Sequence, residues 1–302
     1  MRMRVPQINR SLARWTSVAA VLAVMSTASS AVADDNDLVL RRFGECDFVT
    51  TGGTEQCVGV TADEESFRNL SRDLGYIFSP KGLSPGETIG EVGFELSYEL
   101  NLNVIDSDAD YWQTAVEDRD PDPVMVVSQI HVTKGLPFSF EVGAVLSHLF
   151  GSEMWALGGE VSWAIHEDYF YPVPNLGVRG FVNNVLGSSD INLTTAGFDL
   201  VADWPVGING VASFTPYIGY NMTAVFASSR LLDATPEDGT PPIEGTGNQQ
   251  SSKPEFVFDN ENNVYHRWLA GFRVRFVMVN TSFEAIIADE VQTYSLKLGL
   301  DF

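Results

Sequence analysis

The chain has 302 residues, with 18 Lys and Arg side chains against 40 Asp and Glu side chains and a formal net charge of −22 at pH 7. A chain this acidic repels the phosphate backbone, which excludes nucleic acid as a partner. Because 44% of the residues are hydrophobic and 11% are aromatic, the composition predicts a folded chain rather than a disordered one.

Residues 1–33 have the features of a secretory signal peptide. Four Arg side chains and no acidic side chain precede an apolar run at 18–25. The small residues Ala31-Val32-Ala33 then provide a cleavage site before Asp34. The run is too short to cross a bilayer as a helix, and no later segment has the ~18 uninterrupted apolar residues that a spanning helix needs. The sequence therefore predicts export from the cytoplasm without a helical anchor.

Residues 34–89 are predicted to form a short N-terminal periplasmic segment. Cys46 and Cys57 lie on either side of Thr51-Gly52-Gly53-Thr54, a stretch typical of a hairpin turn. In an oxidising compartment the two cysteines are expected to form a disulfide, with two unpaired thiols as the alternative.

One short amphipathic helix is predicted after this hairpin. Residues 61–64 resemble a capping box, Phe67, Leu70 and Leu74 recur at helical spacing, and Gly75 stands where a helix stops. We expect this helix to pack at the base of the following domain, and a plug docked into its periplasmic mouth is the alternative.

From residue 90 onward, large apolar residues alternate with polar ones in segment after segment. The clearest segment is 91–102, and the others are 124–133, 138–150, 155–166, 176–186, 192–204, 214–227, 265–279, 281–288 and 292–302. Most of these segments exceed the ~5 to 6 residues of soluble strands and match the ~9 to 11 of a tilted strand that crosses a bilayer. We predict an all-β fold over 90–302, a transmembrane antiparallel up-and-down β-barrel of about ten strands, within a range of about eight to twelve.

The lengths of the connections agree with this arrangement. If the last strand descends to the periplasm, the two longest connections, 105–123 and 228–264, both fall on the outer side of the membrane. The second connection is rich in Pro and Gly and is predicted to be a mobile loop without a recognisable motif.

The C-terminal stretch carries a resemblance to a known class of protein. Its apolar face consists of Tyr294, Leu296, Leu298, Leu300 and Phe302. With the signal peptide, this pattern resembles the assembly signal of bacterial outer-membrane β-barrel proteins, although Leu300 stands where many such signals have an aromatic residue. The resemblance implies a porin-like barrel in the outer membrane of a Gram-negative envelope, with lipid, lipopolysaccharide and the barrel-assembly machinery as partners.

The alternation also predicts which charged side chains face the lumen. The predicted acids are Glu91, Glu95, Glu99, Glu141, Glu160, Asp199, Asp203, Glu284 and Asp301, and the predicted bases are Arg179, Arg267, Arg273, Arg275 and Lys297. These charges are consistent either with a structural ion-pair network in a plugged barrel or with a narrow polar conduit. Because the acids outnumber the bases, a conduit would prefer cations.

Four of these charges are predicted to form a continuous wall across neighbouring strands. Arg273, Glu284, Lys297 and Glu95 alternate in sign if the last strand pairs with the first. Opposite charges on adjacent strands attract, so the wall would also determine the register at which the barrel closes.

Two functions follow from the sequence. The preferred one is a narrow, selective or gated channel or transporter for small solutes, because ten strands leave little room inside a barrel. The alternative is a non-conducting structural or surface-binding barrel that acts through its outer loops. An outer-membrane protease or lipid hydrolase is disfavoured, since only His148 and His266 lie near the outer end and no catalytic motif surrounds them.

One outer loop has the spacing of a calcium-binding loop. Asp106, Asp108, Asp110 and Glu117 occupy the first, third, fifth and twelfth positions, but Tyr111 stands where such loops need Gly. Calcium is therefore a weak candidate, the alternative is a solvated acidic loop, and no other cofactor is predicted.

Overall fold

The computed structural model describes residues 36–51, 54–117, 120–167, 173–208, 211–234, 255–288 and 290–302. The predicted signal peptide at 1–33 lies outside the described residues, as does most of the predicted mobile loop, of which 235–254 is not described. Within the described ranges, no helix is both long enough and apolar enough to cross a membrane.

Most of the chain forms one closed antiparallel barrel. Its strands are β3 (Phe94–Val104), β4 (Val124–Leu136), β5 (Phe140–Leu149), β6 (Trp155–His166), β7 (Asn175–Leu186), β8 (Ile191–Asp203), β10 (Ala212–Ser229), β13 (Glu261–Phe276), β14 (Val279–Ile287) and β15 (Gln292–Asp301). Each strand pairs with its neighbours in this order, and β15 pairs with β3 to close the barrel. The predicted ten-stranded barrel is confirmed, and β9 (Val206–Ile208) only extends the β10 hairpin.

Along each strand, apolar side chains on the outer face alternate with mostly polar side chains on the inner face. On β3, Leu96 and Tyr98 point outwards and are 41% and 50% exposed, whereas Ser97 between them is 3% exposed. The predicted assembly signal follows the same rule: Tyr294, Leu296, Leu298, Leu300 and Phe302 are all exposed on the outer face. An apolar exterior around a polar interior is the pattern of transmembrane barrels.

The two ends of the barrel differ in their connections. At one end, which we call the turn end, strands are joined by links as short as 137–139 and 277–278, and Phe302 N donates to Phe94 O at 2.8 Å. At the other end, the loop end, lie the long connections 105–123 and 230–260. These contain the short helix α2 (Asp110–Ala115) and the paired strands β11 (Leu232–Asp233) and β12 (Glu255–Phe256).

The N-terminal segment, residues 36–93, starts at the loop end. A 3-10 turn (Leu40–Phe43) leads into β1 (Gly44–Thr51) and β2 (Thr54–Ala62), which pair as a hairpin joined by a disulfide between Cys46 and Cys57. The helix α1 (Glu64–Phe78) then enters the barrel and contacts β4, β8, β10 and β13. The expectation that this helix packs at the base of the barrel is therefore wrong, because its apolar surface is buried inside the lumen.

Both predicted limits of α1 require correction. The N-cap is Asp63, whose side chain accepts from Ser66 N at 3.1 Å, so the stretch 61–64 is not a capping box. The helix also continues past Gly75 to Phe78. Gly75 faces the wall so closely that a Cβ there would lie 2.4 Å from a methyl group of Val225, so close packing explains the glycine.

Candidate functional site

The lumen divides into two halves, and α1 fills the half near the loop end. Its buried side chains Phe67, Leu70, Leu74 and Ile77 belong to one apolar cluster with the wall. The wall side chains of this cluster are Met125, Val127, Leu149, Ala156, Val185, Ile191, Leu193, Val225 and Ala227. We call this region the loop half of the lumen. A lumen lined for water would not carry such a surface, so the wall here is built to hold a helix.

Polar contacts join α1 to two of the connections at the loop end. Asp73, which is 1% exposed, accepts from Tyr111 OH at 2.8 Å and from Trp112 Nε1 at 3.0 Å. Arg72 lies beside it, with its Nε 3.0 Å from Asp73 Oδ1 and its Nη1 3.0 Å from Glu290 Oε1. Burial and the Asp73 carboxylate together raise the pKa of Tyr111.

Lys81 satisfies the last carbonyl groups of α1. Its fully buried Nζ donates to the carbonyl oxygens of Tyr76 at 2.6 Å, Ser79 at 2.7 Å and Ile77 at 3.3 Å. A helix leaves its final carbonyls without partners and its C-terminal end partly negative, so an ammonium group fits there. Asn183 on β7 satisfies the remaining carbonyl of Phe78 at 2.6 Å.

Below the helix lies the turn half of the lumen, which is polar and ion-paired. Arg179 on β7 has its Nη1 2.8 Å from Glu160 Oε2, also pairs with Asp199, and donates to the carbonyl oxygen of Pro80 at 3.0 Å. His131 lies between two acids, 3.2 Å from Glu99 and 3.0 Å from Glu160. The N-terminal segment thus remains attached to the wall after α1 ends.

The predicted wall of alternating charges is present in part. Lys297 Nζ lies 2.8 Å from Glu95 Oε1 across the β15–β3 pair that closes the barrel. Arg273, in contrast, pairs with Glu87 of the N-terminal segment instead of Glu284. The wall prediction failed there because the sequence alone did not place a third element inside the lumen.

The remaining predicted lumen charges lie as follows. The buried, inward-facing side chains are those of Glu99, Glu141, Glu160, Arg179, Asp199, Asp203, Arg267, Arg273 and Glu284. Arg275 and Asp301 are partly exposed at the turn end and lie 3.1 Å apart. The prediction that Glu91 faces the lumen is wrong, because β3 begins only at Phe94 and Glu91 lies exposed in the preceding turn.

A small cavity of about 40 Å³ lies in the turn half. It lies between residues 82–89 and the wall, and Glu141, Glu160, Glu284 and Lys297 are among its lining side chains. Gly86 N donates to Asp203, and Ile89 N donates to Glu141, each at 2.6 Å. The cavity has room for a few water molecules and is too small for an organic solute.

The predicted calcium loop does not form a cluster of ligands. Asp110 begins α2, and Glu117 lies 3.9 Å from Arg42 of the N-terminal segment. Among the described residues, no group of three or more His, Cys, Asp or Glu side chains could hold a metal ion. The two His residues near the outer end, His148 and His266, lie on the outer face of the wall, away from the lumen.

Sequence reasoning missed several residues that hold the N-terminal segment in place. Lys81 and Glu87 precede the first barrel strand, in a stretch with no periodic pattern, and Asp73 is an acid that the sequence analysis did not single out. A signal was nevertheless present for Asp73, because it lies between the apolar positions Leu70 and Leu74 and so shares their side of the helix.

No protein-family model and no curated protein matches the chain. Among solved structures, the chain is similar to the KdgM porin in complex with disordered oligogalacturonate, at 7% identity and a TM-score of 0.31, with 69% of this chain and 99% of that chain covered. Ail, the attachment invasion locus protein of Yersinia pestis, has 12% identity, coverage of 70% and 99%, and a TM-score of 0.24. The translocator domain of the autotransporter NalP from Neisseria meningitidis has 9% identity, coverage of 79% and 97%, and a TM-score of 0.34. Such values transfer no ligand or activity to this chain.

Proposed function

We propose that this chain, a ten-stranded barrel of the bacterial outer-membrane type, is closed by its own N-terminal segment and acts as a non-conducting, surface-binding barrel. In this proposal the turn end faces the periplasm and the loop end faces outwards, as the short and long connections favour. The signal peptide and the C-terminal pattern of the sequence support export and insertion by the barrel-assembly machinery. Lipid and lipopolysaccharide surround the wall.

The observation that carries this proposal is the apolar packing of α1 against the loop half of the lumen. If α1 left the barrel, Phe67, Leu70, Leu74 and Ile77 would lose their burial, together with the facing wall. Exposing a buried side chain of this size costs ~1.5 to 3 kcal/mol, so these four alone cost about 6 to 12 kcal/mol. That is comparable to the whole stability of a typical domain, ~5 to 15 kcal/mol, so a gate that works by expelling α1 is disfavoured.

Conductance of the purified protein in a planar bilayer tests the proposal. We expect the wild-type chain to be silent and the double variant Leu70→Asp, Leu74→Asp to give currents, because buried carboxylates would drive α1 out of its apolar surroundings. The matched control is Phe48→Asp, an apolar-to-acid change at a position that is 62% exposed, which should remain silent. Steady unitary currents from the wild-type protein would refute a non-conducting barrel.

A narrow, gated conduit for small cations is the second candidate, and the turn half of the lumen favours it. The wall there carries several acids, among them Glu95, Glu99 and Glu141, and the side chains along it are polar. If the wild-type protein does conduct, the reversal potential under a salt gradient should show cation preference. No catalytic role is proposed.

A further inference from the structure

The contacts along β13 reveal the direction in which the N-terminal segment runs through the barrel. Three inward side chains of this strand, at increasing distance from the loop end, each contact a later residue of the segment. From the loop end to the turn end, the pairs are Glu261 with Arg68 at 3.0 Å, Arg267 with Ser79 at 2.9 Å, and Arg273 with Glu87. The segment therefore enters at the loop end and leaves at the turn end, where β3 begins.

The length of the segment agrees with a complete passage through the barrel. The 15 residues of α1 span roughly 22 Å at ~1.5 Å per residue. Residues 79–87 continue from the end of α1 to the turn end. Together they cover the ~25 Å apolar band of a transmembrane barrel.

The first described residues are attached to three separate connections at the loop end. Asn36 N donates to Gly151 O at 2.8 Å and Val39 N to Ala115 O at 2.7 Å, and Leu40 N donates to the side-chain Oδ2 of Asp190 at 2.9 Å. Arg42 adds a bond from its Nη2 to the carbonyl oxygen of Glu117 at 2.9 Å. This anchoring makes the start of the segment a fixed part of the loop end.

The β1–β2 hairpin projects from these anchored residues. Its residues from Asp47 to Thr50 are exposed, including Phe48 and Val49, which are 62% and 48% exposed. The disulfide-joined hairpin therefore presents exposed apolar side chains at the loop end of the barrel.

We propose that the barrel displays its own N-terminal hairpin on the outer cell surface, so that the mature N-terminal side of the chain lies outside and the chain re-enters the periplasm through the lumen. This inference rests on the proposed outer-membrane placement and on its assignment of the loop end to the outside. It is separate from the question of conduction. A sequence attached ahead of Asn36 would then be carried to the cell surface by the same barrel.

The test is cysteine labelling of the full chain on intact bacteria. In a Cys46→Ser, Cys57→Ser background, Glu45→Cys places a thiol on the exposed hairpin, and the matched control Glu91→Cys places one on the exposed turn before β3. With a polymer-linked maleimide too large to pass through porins, we expect Glu45→Cys to be labelled on intact cells. Glu91→Cys should be labelled only after the outer membrane is permeabilised. The reverse pattern, or equal labelling of both on intact cells, would overturn the proposal.

Trypsin treatment of intact cells that express the wild-type chain gives a second readout without any substitution. Arg41 is exposed at the loop end, and cleavage after it should shorten the chain while leaving the barrel inserted. Protection of Arg41 on intact cells together with cleavage in permeabilised cells would contradict surface display. Currents from the wild-type protein in a bilayer with external labelling would refute only the non-conducting function.

Discussion

The two halves of the lumen hold the N-terminal segment by different interactions. In the loop half, a helix with buried Leu and Phe side chains packs against an apolar wall, whereas in the turn half an irregular stretch of chain is attached by ion pairs and hydrogen bonds. Apolar packing is disrupted by substitution with a polar residue, but it does not depend on any single contact. A buried ion pair, in contrast, leaves an uncompensated charge when either of its two residues is removed. Substitutions in the two halves should therefore have different effects.

Reversing one charge in the turn half should cause the largest loss in the free energy of unfolding. Lys297→Glu would place two buried carboxylates beside each other at the closing strand pair, where Lys297 now lies 2.8 Å from Glu95. We expect a loss of at least about 3 to 5 kcal/mol, because an uncompensated buried charge remains. Lys297→Arg keeps the charge and should cost far less. Urea unfolding in lipid vesicles and heat-modifiability on gels measure both variants, and equal stability of the two would contradict the importance of this pair.

Truncating a packed side chain in the loop half should cause the next largest loss of stability. Leu74→Ala removes a side chain that is 1% exposed, and such truncations in packed cores cost about 2 to 5 kcal/mol. The control is Phe48→Ala on the exposed hairpin, which should change the free energy of unfolding by less than about 0.5 kcal/mol. If the two variants unfold at the same urea concentration, α1 is not packed in the lumen as described.

A larger side chain at Gly75 tests the contact between α1 and the wall directly. Gly75→Ala would bring a Cβ within 2.4 Å of Val225, and overpacking of this kind costs about 1 to 3 kcal/mol. Val225→Ala creates space at the same contact, so the double variant should be more stable than the sum of the two single changes predicts. Simple additivity in the double-mutant cycle would show that helix and wall do not touch there.

The smallest expected effect concerns a hydrogen bond at the loop end. Tyr111 donates to the buried Asp73, and its pKa is raised in the folded state by burial and by that carboxylate. Above about pH 10 the unfolded chain loses this proton first, so the stability contributed by Tyr111 is present below that pH and is lost as the pH rises. The variant Tyr111→Phe should cost about 1 kcal/mol at neutral pH and should flatten the decline in unfolding midpoint above pH 10. An unchanged alkaline decline would exclude Tyr111 as its source.

The wall of the barrel could be predicted from the sequence because its signal is local. Alternation on β3 and β15 separates the lipid face from the lumen face residue by residue, and the short and long connections separate the two ends. The occupant of the lumen could not be predicted in this way. The spacing of Phe67, Leu70 and Leu74 shows that a helix has an apolar face, but not which surface covers that face.

The contacts that hold the segment also lacked a local signal. Arg273 and Glu87 are separated by 186 positions in the chain, and many acids compete in the sequence for the same arginine. Gly75 was misread for a related reason, since a glycine at a helix stop and a glycine at a close contact look the same without the facing residue.

The position of α1 also constrains the order in which the barrel assembles. A disulfide-joined hairpin lies at one end of this helix and a strand of the wall begins beyond the other, so the helix cannot simply enter an already closed barrel from the turn end. We therefore expect the wall to form around the helix, with β15 and β3 as the last strands to pair. On this order of assembly, the N-terminal segment acts as a template around which the barrel closes. In a chain that lacks the segment, the apolar wall of the loop half would be exposed to water as the barrel closes.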